Sequence, residues 1–206
     1  MKKILFIIVA AICFPFITKA QRTVEITPFG GYVCPGTMQA NGGNIRFLGN
    51  GQYGGMVSIA ISRVVDIDLI YNRSDTKAQV NLTNYRYEEV PLSINYMHVG
   101  FTKNFRVNEM LSPFIGYNLG ACMFYPKVDT YYAVWFFSMG LNAGAKIYLA
   151  KHIGIRLQAQ ALVPIQGTGF SMFVGTGGGG GGVSVYSTLV QFGFTGGLIF
   201  RLGHVM

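Results

Sequence analysis

Apolar and polar residues alternate with period two along most of this chain. In "FSMGLNAGAKIYL" (137–149), Phe137, Met139, Leu141, Ala143, Ala145, Ile147 and Leu149 fall on one side. Ser138, Gly140, Asn142, Gly144, Lys146 and Tyr148 fall on the other. "GIRLQAQALV" sets Ile155, Leu157, Ala159, Ala161 and Val163 against Arg156, Gln158 and Gln160, and "QYGGMVSIAIS" sets Tyr53, Val57, Ile59 and Ile61 against Gln52, Ser58 and Ser62. Side chains on a strand point alternately to opposite faces, so this period predicts strands and not helices. Eight such runs are visible, at 23–33, 51–62, 65–73, 89–102, 112–124, 135–149, 153–164 and 186–202. Most reach the roughly nine residues that a tilted strand needs to cross a bilayer.

The links between the runs alternate in length. Long polar or glycine-rich loops at 34–50, 74–88 and 165–185 and a loop with Pro126 and Asp129 separate short turns near Arg63, at 103–111 and at Ala150–His152. That alternation predicts an all-β fold: an eight-stranded antiparallel up-and-down transmembrane β-barrel, with long loops outside and both termini in the periplasm. A helical membrane protein is the other architecture to weigh, because residues 110–126 carry no charge. Pro113, the mid-segment glycines and the alternating polar residues argue against it.

Composition agrees with a membrane barrel. Half of the 206 residues are hydrophobic and only 12% are charged, about half the fraction usual in a soluble domain. The first twenty residues account for part of this. Lys2 and Lys3, the apolar stretch Ile4–Ile17 and the ending Thr18-Lys19-Ala20 make a cleavable signal peptide over 1–20, with cleavage expected between Ala20 and Gln21 and the barrel domain over 21–206. Export through such a signal directs the barrel to the outer membrane of a Gram-negative bacterium.

Loss of Lys2, Lys3 and Lys19 leaves 13 basic and 8 acidic residues, a net charge of +5 without any basic run, so no nucleic-acid partner is expected. Two cysteines remain, Cys34 and Cys122. They sit in no CxxC or Cys/His cluster, so no metal or other cofactor is expected, and their pairing stays open.

With the apolar face of each run turned to lipid, the interior receives Glu25, Asp66, Asp68, Lys146, Arg156 and Arg201, three acids and three bases. Buried charges persist when paired and hydrogen-bonded. An eight-stranded barrel is just wide enough for side chains to fill it. A salt-bridged polar plug is therefore expected in place of an open pore. Tyr32, Tyr53, Tyr71, Tyr96, Tyr117, Tyr125, Tyr131, Tyr132, Trp135, Phe136 and Tyr186 lie near strand ends, as interfacial girdles require. In the last run, Thr195, Gly197, Phe200 and Leu202 resemble the terminal-strand signal read by the barrel-assembly machinery, although four residues follow Leu202.

From "ITPFGGYV" (26–33), "EVPLSINYMHVGF" (89–101), "SPFIGYNLGACMFY" (112–125) and "FSMGLNAGAKIYLAKHIGIRLQAQAL" (137–162), the chain resembles the small eight-stranded outer-membrane β-barrels, and within them the porin-like (PorT-like) outer-membrane β-barrel domain group. The resemblance covers roughly 22–202 and implies the fold, contact with outer-membrane lipid, and no shared catalytic residues.

Function is expected to be structural or surface-presenting, with an extracellular or envelope partner engaged through loops 34–50, 74–88 and 165–185. A narrow porin-like conduit is the alternative, and a lipid A-modifying barrel enzyme is a further one. Against an enzyme, His98 falls on the lipid-facing phase of its run with Ser93 on the opposite phase, and no Ser/His/acid set shares a face near one rim. The glycines Gly177–Gly182 lack the Lys-Ser/Thr and following helix of a phosphate-binding loop. They are expected to form the mobile tip of the last outer loop.

Overall fold

The computed structural model describes residues 23–40, 43–82, 88–128, 132–165, 168–175, 178–185 and 189–203. The expected signal peptide and its Ala20–Gln21 cleavage point lie outside them. Eight strands form the barrel: β1 (Val24–Val33), β4 (Asn50–Ala60), β5 (Val65–Leu82), β6 (Glu88–Asn104), β7 (Leu111–Pro126), β8 (Val134–Tyr148), β9 (Ile153–Ile165) and β12 (Gln191–Leu202). Each pairs antiparallel with its neighbours in the order β5-β4-β1-β12-β9-β8-β7-β6, and β6 returns to β5, which closes the sheet. Closure leaves no barrel edge, the condition for holding backbone polar groups in lipid. The pairing of the first and last strands runs from Val24↔Leu202 to Val33↔Gly193 and skips Thr27 and Pro28, where the proline has no N–H to donate.

All eight expected runs are barrel strands, with two corrections. The third run does not stop at Tyr71–Arg73: β5 continues to Leu82, paired with β6 out to Val80↔Glu88. The last strand begins at Gln191 and not at residue 186, because Val183–Val185 belong to a separate hairpin. The long loops are correspondingly structured. Region 34–50 holds a hairpin, β2 (Gly36–Ala40) and β3 (Gly43–Phe47), whose β3 pairs with the end of β5. Region 165–185 holds β10 (Thr168–Gly175) and β11 (Gly178–Val185), paired with each other. Gly178–Gly182 are therefore strand backbone opposite Ser171–Gly175, not a loop tip; Thr176 and Gly177 lie outside the described residues.

β5 and β6 change character along their length. Near the short-turn end, Leu69, Met97, Val99 and Phe101 are exposed on the outside and Asp68, Asn72, His98 and Thr102 are buried inside. Toward the long-strand end the outside carries Lys77 and Glu89, 3.3 Å apart, and the inside carries Ala78, Leu92 and Ile94. The apolar side switches where the outer solvent changes from lipid to water. Below that level the barrel is polar inside; above it, the extension is built like a soluble sheet.

Aromatics mark the boundary. Tyr32, Tyr53, Tyr71, Tyr117, Tyr125, Tyr132 and Trp135 are exposed, while Phe136 packs edge-on against Phe124 with centroids 5.2 Å apart. Tyr96 is not part of a girdle: it is buried in the lumen. Tyr131 and Tyr186 lie outside the described residues.

Candidate functional site

The interior concentrates polar side chains, and it is arranged in three tiers. The lowest, nearest the chain termini, holds all six charged residues read from the sequence. Lys146, 1% exposed, stands between two carboxylates, with Nζ 2.8 Å from Glu25 Oε2 and 2.7 Å from Asp66 Oδ2. Arg201 donates to Glu25 Oε1 through Nε (3.1 Å) and Nη2 (2.9 Å), and Tyr148 donates its hydroxyl to the same oxygen at 2.9 Å. Asn104 supports Asp66 at 2.8 Å.

Arg156 and Asp68 form a looser pair, 3.7 Å apart. Thr102 donates to Asp68 Oδ2, but among the described residues Asp68 Oδ1 and both terminal nitrogens of Arg156 have no hydrogen-bond partner. The Arg156 guanidinium lies over the Phe114 ring at 4.1 Å, and that of Arg201 over Tyr148 at 3.8 Å. The six charges sum to zero, so mutual attraction offsets part of the large desolvation cost.

The middle tier is a run of amides. Arg156 Nε donates to Gln158 (3.0 Å), Gln158 to Gln160 (3.1 Å) and Gln160 to Gln52 Oε1 (2.9 Å), which also accepts from Asn72 at 2.8 Å. Asn118 and Asn142 are buried in the same lumen, their Oδ1 atoms without a hydrogen-bond partner among the described residues, and two inward glycines make space for them. A Cβ on Gly140 would strike Asn118 Oδ1, and one on Gly116 would strike Asn142 Oδ1. Each such glycine faces the other strand's asparagine directly, in the pairs Asn118↔Gly140 and Gly116↔Asn142.

The top tier is apolar: Phe47, Ala78, Leu92, Ile94, Tyr96, Cys122, Leu162 and Leu189 pack together across the long-strand end. Met56, Ile70, Phe114 and Ile199 are buried at lower levels, so the filling is polar but not wholly so. The apolar cap escaped sequence reasoning because Leu92 and Ile94 share the phase of His98, which was read as lipid-facing, while Phe47 and Ala78 fall in the regions 34–50 and 74–88 that were expected to be loops. The signal that could have found it is the switch of apolar phase within β6, from Val90, Leu92 and Ile94 to Met97, Val99 and Phe101.

The same switch corrects His98. It points into the barrel, 2% exposed, with Nε2 2.6 Å from Ser138 Oγ, and not toward lipid. Ser93 lies on the other phase of β6, and it too is buried. No carboxylate hydrogen-bonds the His98–Ser138 pair among the described residues.

On β12, Thr195 is buried on the lumen phase that Gly197 shares, while Phe200 and Leu202 are exposed on the outer face. Cys122 is buried, Cys34 is half-buried, and both are free thiols. Among the described residues no group of three or more His, Cys, Asp or Glu is placed to hold a metal ion.

A closed eight-stranded barrel with an apolar outer band and a filled interior is a small transmembrane β-barrel. Comparison with solved structures gives the same class. The outer membrane protein OprG of Pseudomonas aeruginosa matches at a TM-score of 0.59 and 10% identity, over 90% of this chain and 98% of that one. Neisserial surface protein A matches at 0.57 and 8% identity, over 89% and 98%. The outer membrane protein AlkL matches at 0.50 and 12% identity, over 89% and 92%. The chain thus has the fold of the small outer-membrane β-barrels. No protein family and no curated protein matches it by sequence.

Proposed function

We propose that this chain is a non-catalytic outer-membrane barrel whose task is to present the structured long-strand end to a partner outside the cell. The observation that carries this reading is the division of the molecule: a lumen closed by side chains below, and an extension of β5, β6 and the β2–β3 hairpin above the apolar band. A conduit needs an unobstructed path, and here the ion-paired tier, the amide tier and the apolar cap succeed one another along the axis. Catalysis needs a group within reach of substrate, and the buried His98–Ser138 pair offers none at the surface.

In this reading the short turns and both termini face the periplasm, and Thr195, Gly197, Phe200 and Leu202 are read by the barrel-assembly machinery during insertion. The test is an epitope placed in the connection between β5 and β6. Antibody should bind it on intact cells, and an epitope in the Ala150–His152 turn should be reached only after the outer membrane is permeabilised. The opposite pattern would refute presentation at the cell surface.

A further inference from the structure

The short-turn mouth of the barrel carries cations that the fold leaves unpaired. Two cavities open there, of about 200 Å³ and about 730 Å³, and they share Arg106, Ser112, Tyr148 and Arg201 as a common wall. The first is also lined by Arg63 and the second by Lys151 and His152. The acids at the back, Glu25 and Asp66, are already engaged by Lys146, Arg201, Tyr148 and Asn104. Arg63, Arg106 and Lys151 form no ion pair among the described residues, and the second cavity also has one acid in its wall, Glu109, against Arg106, Lys151 and Arg201.

The frame of the mouth is fixed. Asn108 Oδ1 accepts the N–H groups of Met110 (3.0 Å) and Leu111 (2.6 Å), which shapes the turn carrying Arg106. Arg201 N donates to His152 O at 2.8 Å, which ties the end of β12 to the turn carrying Lys151. The Arg201 guanidinium is held by Glu25 and the Tyr148 ring. Guanidinium and ammonium groups converging on a recess, with serine hydroxyls between them, suit a ligand with several acceptor oxygens and more than one negative charge. Val107, Met110 and Leu149 stand exposed beside Arg106 and Lys151, so apolar chains have a surface to follow next to the charged recess.

We infer that this mouth binds a phosphate-bearing anion. Two sources share that chemistry, an anionic phospholipid headgroup of the adjacent leaflet and a free phosphate, and the experiment has an arm for each. In the first, full-length protein is released from nanodiscs of mixed phosphatidylcholine and phosphatidylglycerol, and native mass spectrometry counts the retained lipids. Phosphatidylglycerol should be retained in excess of its share, and Arg106→Gln with Lys151→Gln should lower that excess by roughly fivefold for each cation removed. In the second, inorganic phosphate is titrated into the protein in zwitterionic micelles; the Arg201 side-chain NMR signal, present in both proteins, should move in the parent and stay in place in the double variant.

Lys103→Gln, an exposed cation that lines neither cavity, is the control and should change both readings little. Heat-modifiability on SDS gels should be unchanged in every variant, since these cations form no ion pairs among the described residues. A positive result in either arm that the double substitution abolishes supports the site and names its source. Retention or shifts that survive the double substitution, or no response in either arm, would overturn it.

Discussion

Replacing Lys146 by methionine isolates the buried ionic tier. The side chain is 1% exposed and its Nζ contacts Glu25 and Asp66 at 2.8 and 2.7 Å. Its loss affects the two acids unequally. Glu25 keeps Arg201 and the Tyr148 hydroxyl, whereas Asp66 keeps only the neutral amide of Asn104. Asp66 would then be a buried carboxylate with no cation in contact, and breaking one side of a buried pair costs about 3–5 kcal/mol. Adding Asp66→Asn removes the stranded charge, so the double variant should recover most of that loss, because replacing both partners of a buried pair is often nearly neutral.

The assay is reversible urea unfolding in lipid vesicles, followed by the fluorescence of the single tryptophan, Trp135, which is exposed in the outer band and reports its environment there. Lys146→Met, Asp66→Asn, the double variant and the parent complete a double-mutant cycle. A loss below about 1 kcal/mol for Lys146→Met, within the range of a surface pair, would refute the reasoning. So would a double variant no more stable than the single one.

Gly140→Val should cost about 1–3 kcal/mol through overpacking against Asn118 and Leu162; the same unfolding assay should show partial relief when Asn118→Ala is added. At the long-strand end, Asp75 accepts from Arg73 and pairs with Lys127, each at 3.0 Å, and these contacts, the Arg73 hydrogen bond first, hold its carboxyl below its ordinary range. Its contribution is therefore fully present above the unfolded carboxylate pKa of about 3.9 and is lost as pH falls through the lower folded value. Asp75→Asn should destabilise by at most about 1 kcal/mol at neutral pH, and the gap to the parent in pH-dependent melting should close at lower pH. Maleimide should label Cys34 in the folded protein and Cys122 only after unfolding, as mass spectrometry would read; labelling of both in the folded state would contradict the packed cap.

Within the membrane band the fold was legible because lipid outside and polar filling inside impose one alternation on each strand. Lys146, Arg156 and Gln158 could be placed by phase alone, and the six charges meet in the lumen as that phase requires. Above the band the same rule misleads. "SDTKAQVNL" (74–82) has little apolar content to alternate, yet Thr76 and Ala78 are buried and Lys77 is exposed, since pairing with β6 and not burial in lipid sets its conformation. His98 was misplaced for a related reason: Met97 and Val99 face lipid while Leu92 and Ile94 face the cap, so no single phase fits the whole strand. Partner choice within the charged tier was not legible either. Lys146 and Asp66 stand 80 positions apart and meet across the barrel, a contact set by closure and not by local sequence. The cations of the short-turn mouth carry no spacing pattern, because three separate turns and the end of β12 supply them.

The central claim, a lumen closed by its own side chains, is tested most directly by single-channel recording of the purified full-length protein in a planar bilayer. The structure predicts a silent bilayer for the parent. Steady, reproducible conductance steps from the parent protein would contradict the closed lumen and favour the narrow conduit.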